Sequence, residues 1–293
     1  MEDALIPAVN LVAPAFLIIA LGYVFNLIFK IEVEPLVKLS MTVLVPAFAF
    51  VHLYRMDIDP NLLSTVFISA WIIILAPGIL VWFLLRNREA PMRGLLLSAM
   101  FMNSVNLPFP ILLSAFGEEA MPYALMFYLA SLLGLFTLGL LVASGGQGSL
   151  TIFRQPVVYV MGLALWMNHQ EWPLPPVLET PVALLESATI PMVLLILGMQ
   201  LVQTRPAQLN WSLLAVGFRF AGGFLAGWGC VWFFGLDGLA RKVVMLESVM
   251  PTAAMAFLIA QNYQADVEVV ASALMLSTLM ALGILPVLLY WLA

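Results

Sequence analysis

The chain has 293 residues, of which 63% are hydrophobic and only 9% charged, with a formal net charge of -5. A soluble domain carries about 25% charged residues, and a soluble protein this apolar could not cover its own surface. Composition therefore excludes a soluble globular protein and assigns the chain to lipid. No basic stripe is available for a nucleic acid, and the single cysteine, Cys230, excludes an internal disulfide or a cysteine-rich metal site. His52 and His169 stand far apart at apparent helix ends, so no metal site is expected.

The N-terminal Met-Glu-Asp-Ala lacks the basic region of a cleavable signal peptide, so the first apolar stretch is read as a retained helix. A spanning helix needs about 20 mostly apolar residues. Apolar run length and flanking charge predict about ten spans, at roughly 5–28, 35–54, 61–85, 94–116, 120–144, 156–168, 180–203, 210–235, 240–261 and 267–292. The Gly/Ser-rich stretch Ser144 to Ser149 reads as a flexible connector. It divides the chain into a first five-helix repeat, 1–145, and a second, 150–293. An odd number of spans per half inverts the second half in the membrane, an arrangement common in secondary transporters. Paired features agree. Ser40-Met41-Thr42 precedes Pro46 in the second span, and Ser187-Ala188-Thr189 precedes Pro191 in the seventh. Arg93 opens the fourth span, and Arg241-Lys242 opens the ninth.

With the N-terminus outside, Lys30, Lys38, Arg86, Arg88, Arg93, Arg154 and Arg205 fall at the cytoplasmic edge, against Arg55, Arg241 and Lys242 outside. The basic-residue bias then puts both termini on the non-cytoplasmic side.

The fourth span holds Asn103-Ser104-Val105-Asn106-Leu107-Pro108-Phe109-Pro110. Pro108 and Pro110 cannot donate to the carbonyls of Ser104 and Asn106 four residues back. Backbone freed in this way at bilayer depth is tolerated only inside protein or beside a cavity. The half-helix after Pro110 points its positive end inward, which suits an anion. The alternative is a proline kink whose asparagines bond a neighbouring helix.

The ninth span repeats the device in Glu247-Ser248-Val249-Met250-Pro251-Thr252. Pro251 is expected to free the carbonyl of Glu247 itself. A carboxylate and an unpaired carbonyl in one turn would form a site for a proton or a sodium ion. A lone charge is expensive there, so Glu247 either pairs with a cation or carries a proton; the alternative is a neutral acid bonded within the bundle. Arg219, in the eighth span, is read as structural, paired with an acid or with backbone carbonyls. Lys38 snorkels to the edge. Glu186 suits a helix terminus as well as it suits transport, and Glu118 and Glu119 suit a helix N-terminus. No Gly-x-Ser-x-Gly elbow, phosphate loop or His-Glu-x-x-His stands in the sequence, so no enzyme is expected.

At these residues the sequence resembles the auxin efflux carrier family, which includes bacterial members and plant PIN-type carriers. Leu11 to Tyr23, with Pro14 and Gly22, looks like the family's first span, and Val45-Pro46 with Phe50 like the second. Asn103 followed by Pro110 fits the family's Asn-Thr-x-x-x-Gly-x-Pro crossover segment. Arg154-Gln155-Pro156 matches the entry to the sixth span, and Leu197-Gly198-Met199-Gln200-Leu201 the end of the seventh. Pro251, Phe257, Ala260 and Tyr263 keep the ninth-span spacing.

The resemblance implies an all-α membrane protein of two inverted five-helix repeats, similar in fold to bile-acid sodium symporters. The first, second, sixth and seventh spans would form a scaffold and the rest a transport domain. The proline-broken fourth and ninth would cross at Pro108, Pro110 and Pro251. It also implies an elevator-like secondary transporter of a small organic anion. Asn103 would contact substrate, with Ser104, Asn106 and Thr252 beside it, and Glu247 would couple transport to protons or sodium. No other cofactor is expected. The implied partners are the organic anion, membrane lipid and a second copy in a scaffold-mediated dimer. The implied location is a bacterial inner (plasma) membrane. Pro108 stands where the family usually has glycine, Asn106 where it is often apolar, and Ala49 where plant carriers place a polar contact. The long cytoplasmic loop of many plant carriers is absent, so a small acid such as a dicarboxylate fits better than auxin. The rival reading is a membrane sensor that keeps the fold without transporting.

Overall fold

Stretches of more than 20 apolar residues can satisfy their backbone in lipid only by closing hydrogen bonds within themselves, which makes them helices. A computed structural model describes residues 2–56, 60–147, 151–204 and 207–292. Ser149 of the connector, Leu150 at the boundary between halves, and Arg205 lie outside the described residues.

The described residues form twelve helices. These are α1 (Glu2–Phe29), α2 (Glu34–Tyr54), α3 (Pro60–Leu85), α4 (Met92–Met100), α5 (Pro108–Phe116) and α6 (Glu118–Ala143). After them come α7 (Pro156–His169), α8 (Pro176–Leu201), α9 (Leu209–Phe234), α10 (Gly238–Ser248), α11 (Ala254–Tyr263) and α12 (Val267–Leu292). Among the described residues there is no β-strand, and the molecule is an all-α integral membrane protein. Helices α1, α2, α3, α6, α8, α9 and α12 are each long and apolar enough to cross a membrane. Large apolar side chains such as Leu17, Val177, Trp232 and Phe233 point outward, as lipid-facing residues must.

The fourth and ninth predicted spans are each two half-helices. The sequence reading put the fourth-span break at its prolines, but α4 ends at Met100, ahead of Asn103. Pro108 instead opens α5 and Pro110 stands two residues further in. A proline in the first helical turn loses no hydrogen bond, because those N–H groups have no intrahelical acceptor. The prolines therefore start a helix there. Three spans also contain a π turn: Ser40–Leu44 in α2, just before Pro46, Leu135–Gly139 in α6, and Phe218–Gly222 in α9.

The helices sort into two neighbourhoods. Helix α1 runs along α8 and also packs on α12, which joins the two neighbourhoods, and α2 packs on α7 and α8. The other group gathers α3, the half-helices α4 and α10, α6, α9 and α12. Polar ties mark the two ends of the bundle. At one, Arg93 donates to the carbonyls of Ala143 and Gln264 (3.2 Å each), and Asp266 accepts from the Gly94 N–H at the start of α4. At the other, Asn168 donates to the carbonyls of Tyr54 and Met56, and the Tyr54 hydroxyl donates to the Trp172 carbonyl. Glu186 lies well inside α8, 3.4 Å from His52, and so is not helix-terminal. Glu118 and Glu119 do occupy the first turn of α6.

The α1–α8 contact is backbone on backbone. A Cβ at Gly22 would fall on the Leu195 carbonyl, and one at Gly198 on the Ile19 carbonyl. Asn26 Nδ2 locks the crossing by donating to the Met199 carbonyl at 3.1 Å. Small residues allow such approach where lipid supplies no hydrophobic drive. Gly198→Ala is expected to push these helices apart and to cost about 1–3 kcal/mol, read as a lowered thermal midpoint in detergent.

Candidate functional site

Both helix breaks fall at the same place. The Asn103 N–H donates to the Pro251 carbonyl (2.7 Å) and the Ala253 N–H to the Phe101 carbonyl (2.9 Å), so Met102 and Thr252 pair as an isolated antiparallel bridge. The two extended stretches satisfy each other where neither could do so alone.

A helix leaves its last four carbonyls without intrahelical donors, and at this crossing all eight have partners. On α4, Leu97 accepts from the Phe101 N–H, Ser98 from the Thr252 hydroxyl (3.1 Å), and Ala99 and Met100 from Arg219 Nη1 (2.9 and 3.0 Å). On α10, Met245 accepts from the Ser248 hydroxyl, Leu246 from the Val249 N–H, Glu247 from the Met250 N–H (3.1 Å), and Ser248 from Arg219 Nη2 (3.0 Å). The Glu247 carbonyl is therefore not free, contrary to the sequence expectation, because the chain turns early enough for Met250 to reach it. Arg219 pairs with backbone carbonyls, one of the two partnerships the sequence allowed.

Beside this crossing lies a cavity with a free volume of about 70 Å³. One wall is Val37, Ser40 and Met41 of α2 with Val193, Ile196 and Gln200 of α8; the facing wall is the stretch 101–106, α6 around Tyr128 and Ser131, and the start of α11 at Ala254 and Met255. Its lining thus draws on both helix neighbourhoods. Asn103 Oδ1 accepts from the N–H groups of Val105 (3.4 Å) and Asn106 (2.9 Å), fixing the amide's orientation. Its Nδ2, the Tyr128 hydroxyl and the Ser40 hydroxyl are buried with no hydrogen-bond partner among the described residues. Helix α11 opens on this lining at Ala254 and Met255, bringing the positive end of its dipole beside the cavity. No described residue lining the cavity is charged.

Of the residues singled out in the sequence, Asn103, Ser104 and Asn106 line this cavity. Thr252 and the prolines 108, 110 and 251 do not; Thr252 is part of the bridge itself, its hydroxyl bonded to the Ser98 carbonyl and its N–H to Ser277 Oγ. Glu247 is fully buried, away from the cavity lining, and neither carboxyl oxygen has a partner among the described residues. Ser40, Tyr128 and Gln200 had no functional assignment from sequence. The only signal was their place in segments paired for other reasons: Ser40 in the motif before Pro46, and Gln200 in the stretch that resembles the family's seventh span. Beyond Tyr128 an aromatic stack closes the bundle. Phe109 meets Tyr128 edge-on (6.1 Å) and stacks on Phe48 (5.3 Å), which in turn touches His52 (4.3 Å).

Membrane-embedded broken helices crossing beside a cavity define a membrane transport protein. The comparisons carry this to a family. The family model described as "Membrane transport protein" matches residues 140–289, just over half of the chain, and the chain belongs to that family, the auxin efflux carrier-like transporters. An uncharacterized transporter of Methanothermobacter thermautotrophicus is 27% identical over 289 residues, covering 94% of this chain and 95% of its own. Another, from Methanocaldococcus jannaschii, is 25% identical over 222 residues, covering 70% and 71%. Both relatives are archaeal.

Thr252→Val keeps side-chain shape but leaves the Ser98 carbonyl unpaired. It is expected to cost about 1–2 kcal/mol, measured as a lower unfolding midpoint with the helical circular dichroism of the folded protein unchanged.

Proposed function

We propose that the protein is a secondary transporter of a small organic anion, carried by the cavity beside the helix crossing. One observation supports this most: the cavity offers hydrogen-bond donors from Asn103 Nδ2, Tyr128 and Ser40, next to a helix N-terminus. A carboxylate needs donors and a positive potential, and is repelled by an acid. The cavity's position between α2/α8 and the crossing helices favours an elevator-type cycle. In that cycle α1, α2, α7 and α8 stay as scaffold while the crossing unit moves. The paired half-helices α4/α5 and α10/α11 favour ten spans in two inverted repeats, 1–145 and 150–293.

With both termini non-cytoplasmic, the cavity lies in the cytoplasmic half, and the Phe48–Phe109–Tyr128 stack separates it from the outside. We assign coupling to Glu247, through a proton or a sodium ion, and infer a homodimer through the scaffold in a prokaryotic plasma membrane.

Reconstituted vesicles test this. Asn103→Asp keeps the oxygen that accepts from Val105 and Asn106 but places a negative charge on the cavity wall. It is expected to lower uptake of labelled small carboxylates by roughly 100-fold or more, at some cost in thermal stability because a charge at this depth is expensive, with wild-type helical circular dichroism showing that the protein still folds. Unchanged uptake would remove the site. Glu247→Gln is expected to make the uptake rate indifferent to an imposed pH gradient. A variant that still follows the gradient would move coupling elsewhere. Ligand binding without flux in the wild-type protein would favour the sensor.

A further inference from the structure

Arg219 does not line the cavity, yet among the described residues it is the largest side chain that is completely buried. A cation at membrane depth persists only where its surroundings are built for it. Here they are. The π turn Phe218–Gly222 carries Arg219 and places it against the ends of α4 and α10. One turn on, a Cβ at Gly223 would fall on Arg219 Nη2 and the Ser248 carbonyl. A further turn on, a Cβ at Gly227 would stand 2.6 Å from Ser248 Cβ. Helix α9 therefore has glycine at both points where the guanidinium and the end of α10 pass. The charge sits where the negative ends of two helix dipoles meet. Its planar fork can bond the carbonyls of two helices at once, which a point charge does less well.

In transporters with discontinuous helices, exposed carbonyls of this kind coordinate the coupling cation. In this chain the carbonyls of Ala99, Met100 and Ser248 already hold an arginine at 2.9–3.0 Å.

We propose that the Arg219 guanidinium is the resident cation of the crossing, held by the Ala99, Met100 and Ser248 carbonyls in the place where a coupling sodium ion would bind. With that cage filled, these carbonyls offer no site to an alkali cation, and of the two coupling ions open to Glu247 the proton is the one favoured. That consequence rests on the transporter reading; the filled carbonyl cage does not.

The test reads thermal stability of the purified protein in detergent, in sodium chloride against choline chloride at equal ionic strength. The wild-type midpoint is expected to agree in the two salts within about 1 °C. Arg219→Gln is expected to unfold about 4 °C or more lower in choline and to recover saturably with sodium, which binds the emptied cage in the folded state only. Arg219→Lys, which keeps the charge, is expected to stay indifferent to sodium. Saturable stabilisation of the wild type by sodium would overturn the proposal. So would an Arg219→Gln protein as stable as wild type, or one that sodium does not restore, which would leave Arg219 a structural clamp. If Arg219→Gln yields no folded protein, the wild type and Arg219→Lys decide, since sodium stabilisation of either counts against the cage being filled. No flux is measured, so this result stands apart from the outcome of the uptake experiment.

Discussion

Backbone carbonyls cannot be left bare in the middle of a bilayer, and the organisation of this protein follows from meeting that constraint twice at one point. Two helices stop short, at Met100 and Ser248. Each break would leave four carbonyls open. Four of the eight are met by groups of their own segment, and with the breaks placed against each other Thr252 and Arg219 meet the other four. The remaining elements are arranged so that these groups can reach. Helix α9 has a π turn and glycines where Arg219 must pass. Helix α12 presents Ser277 to the Thr252 N–H.

The spans were legible because lipid imposes a length and a polarity that few other environments do. The predicted tenth span and α12 coincide at 267–292, and the second and third differ from α2 and α3 by a residue at the start. The breaks were legible in kind but not in position. Proline signals a helix end when read from its missing N–H alone. At Pro108 and Pro110 it marks a beginning, because the chain has already left the helix at Phe101, whose extended backbone (φ -101°, ψ 117°) is set by pairing with Ala253. That pairing spans about half the chain, and no local pattern encodes it. The fate of the Glu247 carbonyl was hidden for the same reason.

The candidate site was legible only in its first-half loop. Asn103, Ser104 and Asn106 stood out as polar residues crowded into an apolar span. Ser40, Tyr128 and Gln200 are single polar residues in three separate helices, each unremarkable in its own sequence window. Only packing of α2, α6 and α8 around one space turns them into a set.

The same accounting explains what kind of ligand the space can hold. At the crossing, acceptors and donors are treated unequally. Every carbonyl at the ends of α4 and α10 is consumed internally, three of them by Arg219, which is not among the described residues lining the cavity. Asn103 Oδ1 is consumed as well, by two N–H groups of its own loop. What lines the cavity is a mixed polar set: the unpartnered Asn103 Nδ2 and the hydroxyls of Ser40 and Tyr128, the side chains of Ser104, Asn106 and Gln200, and the opening turn of α11. For the anion proposed above, such a wall supplies donors without a charged side chain among the described lining residues. It can also bind its ligand weakly enough to release it, which a salt bridge at this depth would oppose, since paired charges buried away from water separate only at high cost.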